Sequence, residues 1–477
     1  MPETQSIHEK LEAAGQAHLL RFEDALTDQQ RRSLYEQIEE IDFDHLPALI
    51  ERYVKSERHA ELPKDLEPAD YYPRDPASEV KPWDPAKARA AGDELLGAGR
   101  VACFTVAGGQ GSRLGFDGPK GCFPAGAVTG KTLFQIFAEG ILATERTYGS
   151  EVPWYIMTSP QNHEATVAFF KDHDYFGLDP ARVMFFPQGT MPSMDKETGR
   201  ILLADKGTIA TNPDGHGGSL RALVRSGATA DMVRRGVEHI SYFQVDNPNV
   251  RVADPVFLGL HAAAGDSSAE MSSKMLPKAA PEEKVGVFCR SGGRTTVIEY
   301  SDLPDELTYA RNEHGNLRFN AGSIAIHALS VAFVEKIAGD PAFSLPWHRA
   351  VKKVPHVDLE TGERVEPGEP NAVKLERFVF DAIPMAEASI VFETDRVEEF
   401  APIKNKEGVD SIETSKRLQT ERAARWLHSA GVEIPRDSEG HADCTLEISP
   451  LTALSAEQLR QRDDLPTSID RGSTHAL

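Results

Sequence analysis

Four cysteines in 477 residues are few, and Cys103, Cys122, Cys289 and Cys444 stand far apart with no C-x-x-C pair. That spacing argues against a disulfide framework and against a structural zinc site. No Asn-x-Ser/Thr acceptor occurs. No apolar run approaches the ~20 residues needed to span a bilayer. The opening stretch MPETQSIHEKLEAAG is polar and acidic and lacks the apolar centre of a secretory signal. A cytoplasmic chain with no membrane association is therefore expected. Positive charge is also short: 52 Lys and Arg stand against 74 Asp and Glu, a net −22. Broad nucleic-acid binding needs a basic footprint and is not expected. A small anion held by a few local cations, or through Mg²⁺, is not excluded. Internal repeats, low-complexity tracts, G-x-S-x-G, H-E-x-x-H and kinase triplets are all missing. The 16 histidines show no zinc spacing.

What is there is a globular composition, 40% hydrophobic and 26% charged. The length is enough for a large core and, as a prior, for about three units. Residues 1–95 are predicted to be a helical segment. Within it Leu34, Ile38, Ile41, Leu46 and Ile50 recur on one helical face, and a Pro-rich, extended stretch follows from residue 62 to 85. From Val101 short apolar runs alternate with helical patterns. VACFTVA (101–107), VPWYIMT (152–158), VMFFP (183–187) and ISYFQVD (240–246) read as buried strands. Leu133–Tyr148, Glu164–Lys171 and Leu220 to beyond Met232 read as helices. That alternation predicts an α/β fold with a central mixed, mostly parallel sheet covered on both faces. Further strands are read at VGVFC, RTTVIEY, FNAGSIAIH and SIVFE, and a helix from Lys374 to Asp381 with Phe378 and Phe380 as core or pocket wall. The divisions read from the sequence are 1–95, 96–395 and 396–477. The last is a small C-terminal domain with a helix near 414–429 and a polar, loose tail.

The most informative stretch is VACFTVAGGQGSRLGFDGPKG, residues 101–121. A buried strand ends in Gly108-Gly109-Gln110-Gly111, where glycines let backbone N–H groups approach a phosphate closely. Ligands of open α/β sheets sit at the carboxyl ends of strands, and Arg113 and Lys120 add two cations nearby. A dinucleotide loop would need a third glycine where Leu114 stands, and a Walker A loop would need glycine at Ala125 before Gly130-Lys131-Thr132.

The string from Ala107 to Gly115, followed by Pro119-Lys120-Gly121, resembles the signature of the eukaryotic-type UDP-sugar pyrophosphorylase family. That family comprises UDP-N-acetylglucosamine and UDP-glucose pyrophosphorylases. The resemblance runs through roughly residues 30–430. It implies a Rossmann-like nucleotidyltransferase fold, with residues 96–395 as the catalytic domain. It assigns nucleotide binding to Gly108 and Gly109, a uracil-reading role to Gln188 in FFPQGTMP, and a uridine loop to Gly215 and His216 in NPDGHGG, with Ser219 able to cap the next helix. It makes Asp246 in VDNP the Mg²⁺ ligand, Mg²⁺ being the expected cofactor. It puts Glu299, Asn320, Gly322 and Ser323 beside the sugar. Lys404, in the block Glu399–Asn405, is expected to reach the phosphates, with Arg113 and Lys120 as the other catalytic cations.

The implied partners are UTP and a sugar 1-phosphate, joined by direct in-line attack on the α-phosphorus. N-acetylglucosamine 1-phosphate is favoured by the whole-chain likeness. His216 and Ser323 stand where the N-acetylglucosamine enzymes tend to carry Asn, and both pull toward glucose 1-phosphate or a looser pocket. A non-catalytic sugar-nucleotide sensor would be expected to lose the metal ligand or a lysine, and neither is lost. The sequence leaves the oligomeric state open, a homo-oligomer included.

Overall fold

Apolar runs flanked by glycine and proline become the strands of one ten-stranded sheet. The structure, a computed structural model, describes residues 2–56, 62–339 and 345–477. Two compact units are drawn from interleaved stretches of chain. One takes Met1–Leu62, Gln188–Ser219 and Ser344–Val379; the other takes Pro63–Pro187, Leu220–Phe343 and Phe380–Leu477.

The second unit holds the large sheet. Strands His239–Gln244, Val101–Val106, Trp154–Thr158 and Val183–Pro187 are parallel neighbours in that order. Antiparallel pairing takes over where Ala321–Ser330 joins the edge of His239–Gln244. The sheet is thus mixed, as the sequence predicts. Residues 101–104 and 154–157 are almost wholly buried, as expected for strands covered on both faces. Helix Leu133–Tyr148 is capped by Thr132, whose hydroxyl accepts from the Gln135 N–H. It packs Phe134 and Phe137 into the same core as Trp154 and Phe243.

The carboxyl-terminal part of this unit is built on helix Ile412–Ser429, which begins in a Ser411–Thr414 capping box. Ala424, Leu427, Leu446 and Leu459 form its own small core. The tail read as loose is ordered instead: Thr474–Ala476 pairs in parallel with Thr445–Glu447. Backbone pairing there supplies what side-chain burial does not.

In the first unit, the apolar faces of the N-terminal helices meet β structure. Leu34, Ile38, Leu46 and Ile50 share a core with Met194, Ile201, Val373 and Leu375. The stretch read as a helix from Lys374 is a strand, Ala372–Glu376, paired with His348–Lys352 and Met194–Asp195. Lys, Leu, Glu and Arg favour helices. Here burial alternates along the chain, with Val373 and Leu375 inside, and the partner strands decide the outcome. No helix of the described residues is long and apolar enough to cross a membrane.

Candidate active site

The phosphate-type loop occupies the position that parallel sheets reserve for ligands. Val106 is in register with Gln244, so Gly108 and Asp246 each stand two residues beyond a paired position on adjacent parallel strands. The N–H groups of Gly108, Gly109 and Gln110 donate to no protein acceptor among the described residues. Three successive free N–H groups make a cradle for an anion. The loop is closed from within: the Gly111 N–H donates to Gly118 O at 2.9 Å and the Lys120 N–H to Gly109 O at 3.0 Å. A Cβ on Gly111 would lie 2.7 Å from the Phe116 ring, so only glycine fits there.

That closure carries Lys120 back over the turn, its Cε 3.8 Å from where a Gly109 side chain would begin. Arg113 is exposed on the short helical turn Ser112–Leu114. Neither cation has a carboxylate partner among the described residues. Asp246 joins this group through its backbone: its carbonyl accepts from the Ile403 N–H at 2.8 Å, which sets Lys404 next to it in the chain. Lys404 Nζ rests on Asp410 Oδ2 at 3.1 Å and lies over the Phe400 ring. The same loop returns toward the glycines, Lys406 Cδ lying 4.0 Å from a Gly115 Cβ position. Gly108, Gly109, Arg113, Lys120, Asp246 and Lys404 therefore gather at one end of two parallel strands.

The carboxylate of Asp246 makes no hydrogen bond or ion pair with the protein among the described residues. No group of three or more His, Cys, Asp or Glu placed to hold a metal ion exists among them either. A single free carboxylate beside a phosphate cradle suits Mg²⁺, which keeps several waters and binds through one or two carboxylates plus substrate phosphates. The Gly130-Lys131-Thr132 string serves structure instead. Lys131 pairs with Glu139, and the Val128 and Thr129 N–H groups donate to Glu447.

The residues of the expected sugar side lie on the neighbouring strands. Glu299 follows Arg294–Ile298, and its carbonyl accepts from Asp302 and Leu303 N–H. The Asn320 carbonyl accepts from Lys278 N–H, and its side chain meets the Tyr71 hydroxyl. The Ser323 N–H donates to Gly286 O. Gly322 is fixed by packing, since a Cβ would meet Val285 at 2.9 Å.

Gln188, Gly215 and His216 belong to the first unit and come together there. The Asp214 N–H donates to Gly189 O, and Arg377 N–H donates to Asp214 O at 2.8 Å. Gly215 has φ +84°, and a Cβ on Gly217 would lie 2.7 Å from the Arg377 and Phe378 backbone. Gln188 is buried and its amide makes no hydrogen bond to protein among the described residues. The His216 ring stacks on Phe378, which stacks in turn on His348. His216 Nδ1 accepts from the Val379 N–H at 3.1 Å, which requires a neutral ring. Desolvation, aided by nearby His348, keeps it neutral by pushing the imidazole down to about 4. Ser219 is not a cap: it falls inside helix Gly218–Arg225, because the turn at Gly217 and Gly218 already starts the helix.

A family model described as UTP–glucose-1-phosphate uridylyltransferase matches residues 47–422. The chain belongs to that family. Arabidopsis thaliana UDP-N-acetylglucosamine diphosphorylase 2 is 36% identical to it, over 96% of this chain and 92% of the plant protein. A Xenopus tropicalis UDP-N-acetylhexosamine pyrophosphorylase-like protein 1 is also 36% identical, over 95% and 93%. Among solved structures, the uridine diphosphate N-acetylglucosamine pyrophosphorylase of Trypanosoma brucei superposes with a TM-score of 0.82. It is 27% identical, over all of this chain and 98% of that one. Family membership makes the chain a nucleotidyltransferase that transfers uridylyl groups to sugar 1-phosphates.

Two functional positions were missed by sequence reasoning. Asn162 holds the glycine loop, donating to Ala107 O at 3.0 Å and Gly109 O at 3.3 Å. Asp410 occupies Lys404 from a left-handed conformation, φ +54°. An asparagine four residues past a buried strand was the available signal for the first. Nothing local marks the second.

Proposed function

We propose that the chain condenses UTP with N-acetylglucosamine 1-phosphate to UDP-N-acetylglucosamine and pyrophosphate. What supports this reading is the single focus just described: three unbonded N–H groups, two unpaired cations, a free carboxylate and Lys404, all at the ends of adjacent parallel strands. An oxygen of the sugar phosphate attacks the α-phosphorus. The new P–O bond forms as the bond to the β-phosphate oxygen breaks, and pyrophosphate leaves with the electron pair. The attacking oxygen is already anionic, so no general base is needed.

The protein's task is to hold two anions together and to offset the charge of the leaving group. The Gly108–Gln110 amides and Lys120 bind the UTP phosphates, and Arg113 faces the departing pyrophosphate. Lys404 exchanges Asp410 for the sugar phosphate. Gln188 reads the uracil edge with an amide that offers one donor and one acceptor. Gly215 and Gly217 let the backbone lie close under the uridine. Asp246 would hold Mg²⁺, which when bound lowers the charge on the reacting phosphates.

The relatives of 34–37% identity carry N-acetylated names, and this supports the N-acetylated sugar. Ser323 weakens that assignment without naming a replacement sugar, and glucose 1-phosphate is the alternative. His216 no longer argues for it, since its ring is spent on Phe378 and the Val379 amide. The test is pyrophosphate release from UTP and Mg²⁺ with N-acetylglucosamine, N-acetylgalactosamine, glucose and galactose 1-phosphates. Preference for N-acetylglucosamine is expected. Preference for glucose would replace the sugar, and silence with measurable UTP binding would replace the reaction.

A further inference from the structure

The segment that carries Asp246 and the segment that carries Lys404 are far apart in sequence and are sewn together along their length. Asn249 Nδ2 donates to Val397 O at 2.9 Å. Arg422 Nη1 donates to Asn249 O at 3.0 Å and approaches Glu398 O at 3.4 Å. Asn247 Nδ2 donates to Glu399 O at 2.6 Å, while its Oδ1 accepts from the Ala401 N–H at 2.9 Å. The Ile403 N–H donates to Asp246 O at 2.8 Å. Asn247 is the centre of this seam. Its amide mimics a peptide group and bonds the backbone on both sides of Phe400. It is 5% exposed, so removing its amide would leave the Glu399 carbonyl and the Ala401 N–H without that partner in a buried place.

The seam is itself anchored to the sheet. Glu399, 1% exposed, receives Lys274 Nζ at 2.6 and 2.7 Å, and Lys274 also reaches Asp254 at 2.5 Å. Lys274 lies on strand Met271–Pro277 and is wholly buried. It holds the Asp254 carboxyl well below the ordinary carboxylate range against the opposing effect of burial. A rigid path therefore runs from the sheet through Lys274 and Glu399 to Asn247, and from there to Asp246 and Lys404.

We propose that Asn247 is a positioning residue for uridylyl transfer: it fixes the spacing between the carboxylate of Asp246 and the ammonium of Lys404. This rests on the reading of those two residues given under Proposed function. Misplacement of a reacting group by about 1 Å costs on the order of 10²-fold in rate.

The test compares the full-length wild type with Asn247→Ala and the near-isosteric Asn247→Asp. The Asp variant keeps the acceptor for Ala401 but faces the Glu399 carbonyl without a donor. For Asn247→Ala we expect kcat to fall about 10²-fold, with KM for UTP changed less than about threefold. Amide exchange is expected to quicken in peptides covering 399–410, while those of 101–106 and 412–429 stay protected. Asn247→Asp is expected to fold and to lose roughly tenfold in kcat. An active wild type with unchanged kcat in Asn247→Asp, or unchanged exchange over 399–410 in Asn247→Ala, overturns the proposal. So does a lower melting temperature with a normal kcat, which would mark Asn247 as structural only. A wild type silent with every sugar 1-phosphate would instead overturn the uridylyltransferase reading, and the positioning role with it.

Discussion

The glycine loop of the large unit and the glycine turn of the small unit are built on opposite plans. At Gly108–Gln110 the backbone amides are left without partners among the described residues, and Arg113 and Lys120 stand there without carboxylates. At Asp214–Gly217 the backbone is held by Arg377 and Gly189, and His216, Phe378 and His348 stack beside it. The first arrangement keeps charge available, as phosphate chemistry requires. The second fixes a shape, which would suit the base-selecting role proposed for it, because a loose pocket cannot leave the wrong partner unsatisfied. The phosphate-type loop is thus left open while the glycine turn is bonded from within, although Gln188 beside that turn keeps its amide free among the described residues and Lys404 rests on Asp410.

The sharpest way to break this contrast is at Asp246. Asp246→Asn should lower Mg²⁺-dependent turnover by about 10³-fold or more with the melting temperature nearly unchanged. Initial rates across a Mg²⁺ titration check it, and near-normal turnover would remove the metal role. Lys404→Ala should cost on the order of 10²-fold in kcat. Asp410→Asn sharpens that result, since it frees Lys404 and should lower KM for the sugar phosphate. An unchanged rate in Lys404→Ala would return that lysine to the surface.

In the small unit the expected effects fall on stability and selectivity. Gly217→Ala forces a Cβ against the Arg377 and Phe378 backbone and should cost about 1–3 kcal/mol, read by denaturant unfolding. Gln188→Ala should reduce the preference for UTP over CTP by roughly tenfold, in keeping with the loss of about one hydrogen bond. Unchanged nucleotide preference would exclude base reading by that amide.

A further effect is in pH. Burial lowers His216 to about 4 and His261 to about 3. Unfolded histidines titrate near 6.5, so below that pH the unfolded chain binds more protons than the folded one. Stability is complete above pH 6.5 and declines toward pH 4, by up to about 1.4 kcal/mol per pH unit for each ring. Thermal melts from pH 7.5 to 4.5 should show it, and His216→Asn should flatten the slope without abolishing it.

The glycine loop was legible from local pattern, whereas Gln188, Gly215 and His216 were reached through the family resemblance, and the bonds and stacks that hold their turn were not legible. Gly108 and Asp246 each stand two residues beyond an apolar strand, and Arg113 and Lys120 follow in the same glycine-rich stretch. The strand Ala372–Glu376 was misread because Lys374, Leu375, Glu376 and Arg377 favour a helix. Its actual state is fixed by His348–Lys352 and Met194–Asp195, partners that no local pattern names. Asn162 and Asn247 escaped for a related reason. Their amides bond backbone atoms remote in sequence, Ala107 in one case and Glu399 and Ala401 in the other. A polar residue near a strand end looks the same whether it faces water or sews two loops together.

The interleaving of the two units has a consequence in time. The ribosome releases Met1–Leu62 first, yet the cover for Leu34, Ile38 and Ile50 is completed by Val373 and Leu375. About 300 residues of synthesis lie between them, or roughly 15–60 s at 5–20 residues per second. Met194 and Ile201 cover part of the apolar face of these helices on the way, and the rest of it stays exposed until Val373 and Leu375 arrive. The nascent chain is then a client for holding chaperones, and slow passage through codons 344–379 would lengthen its exposure.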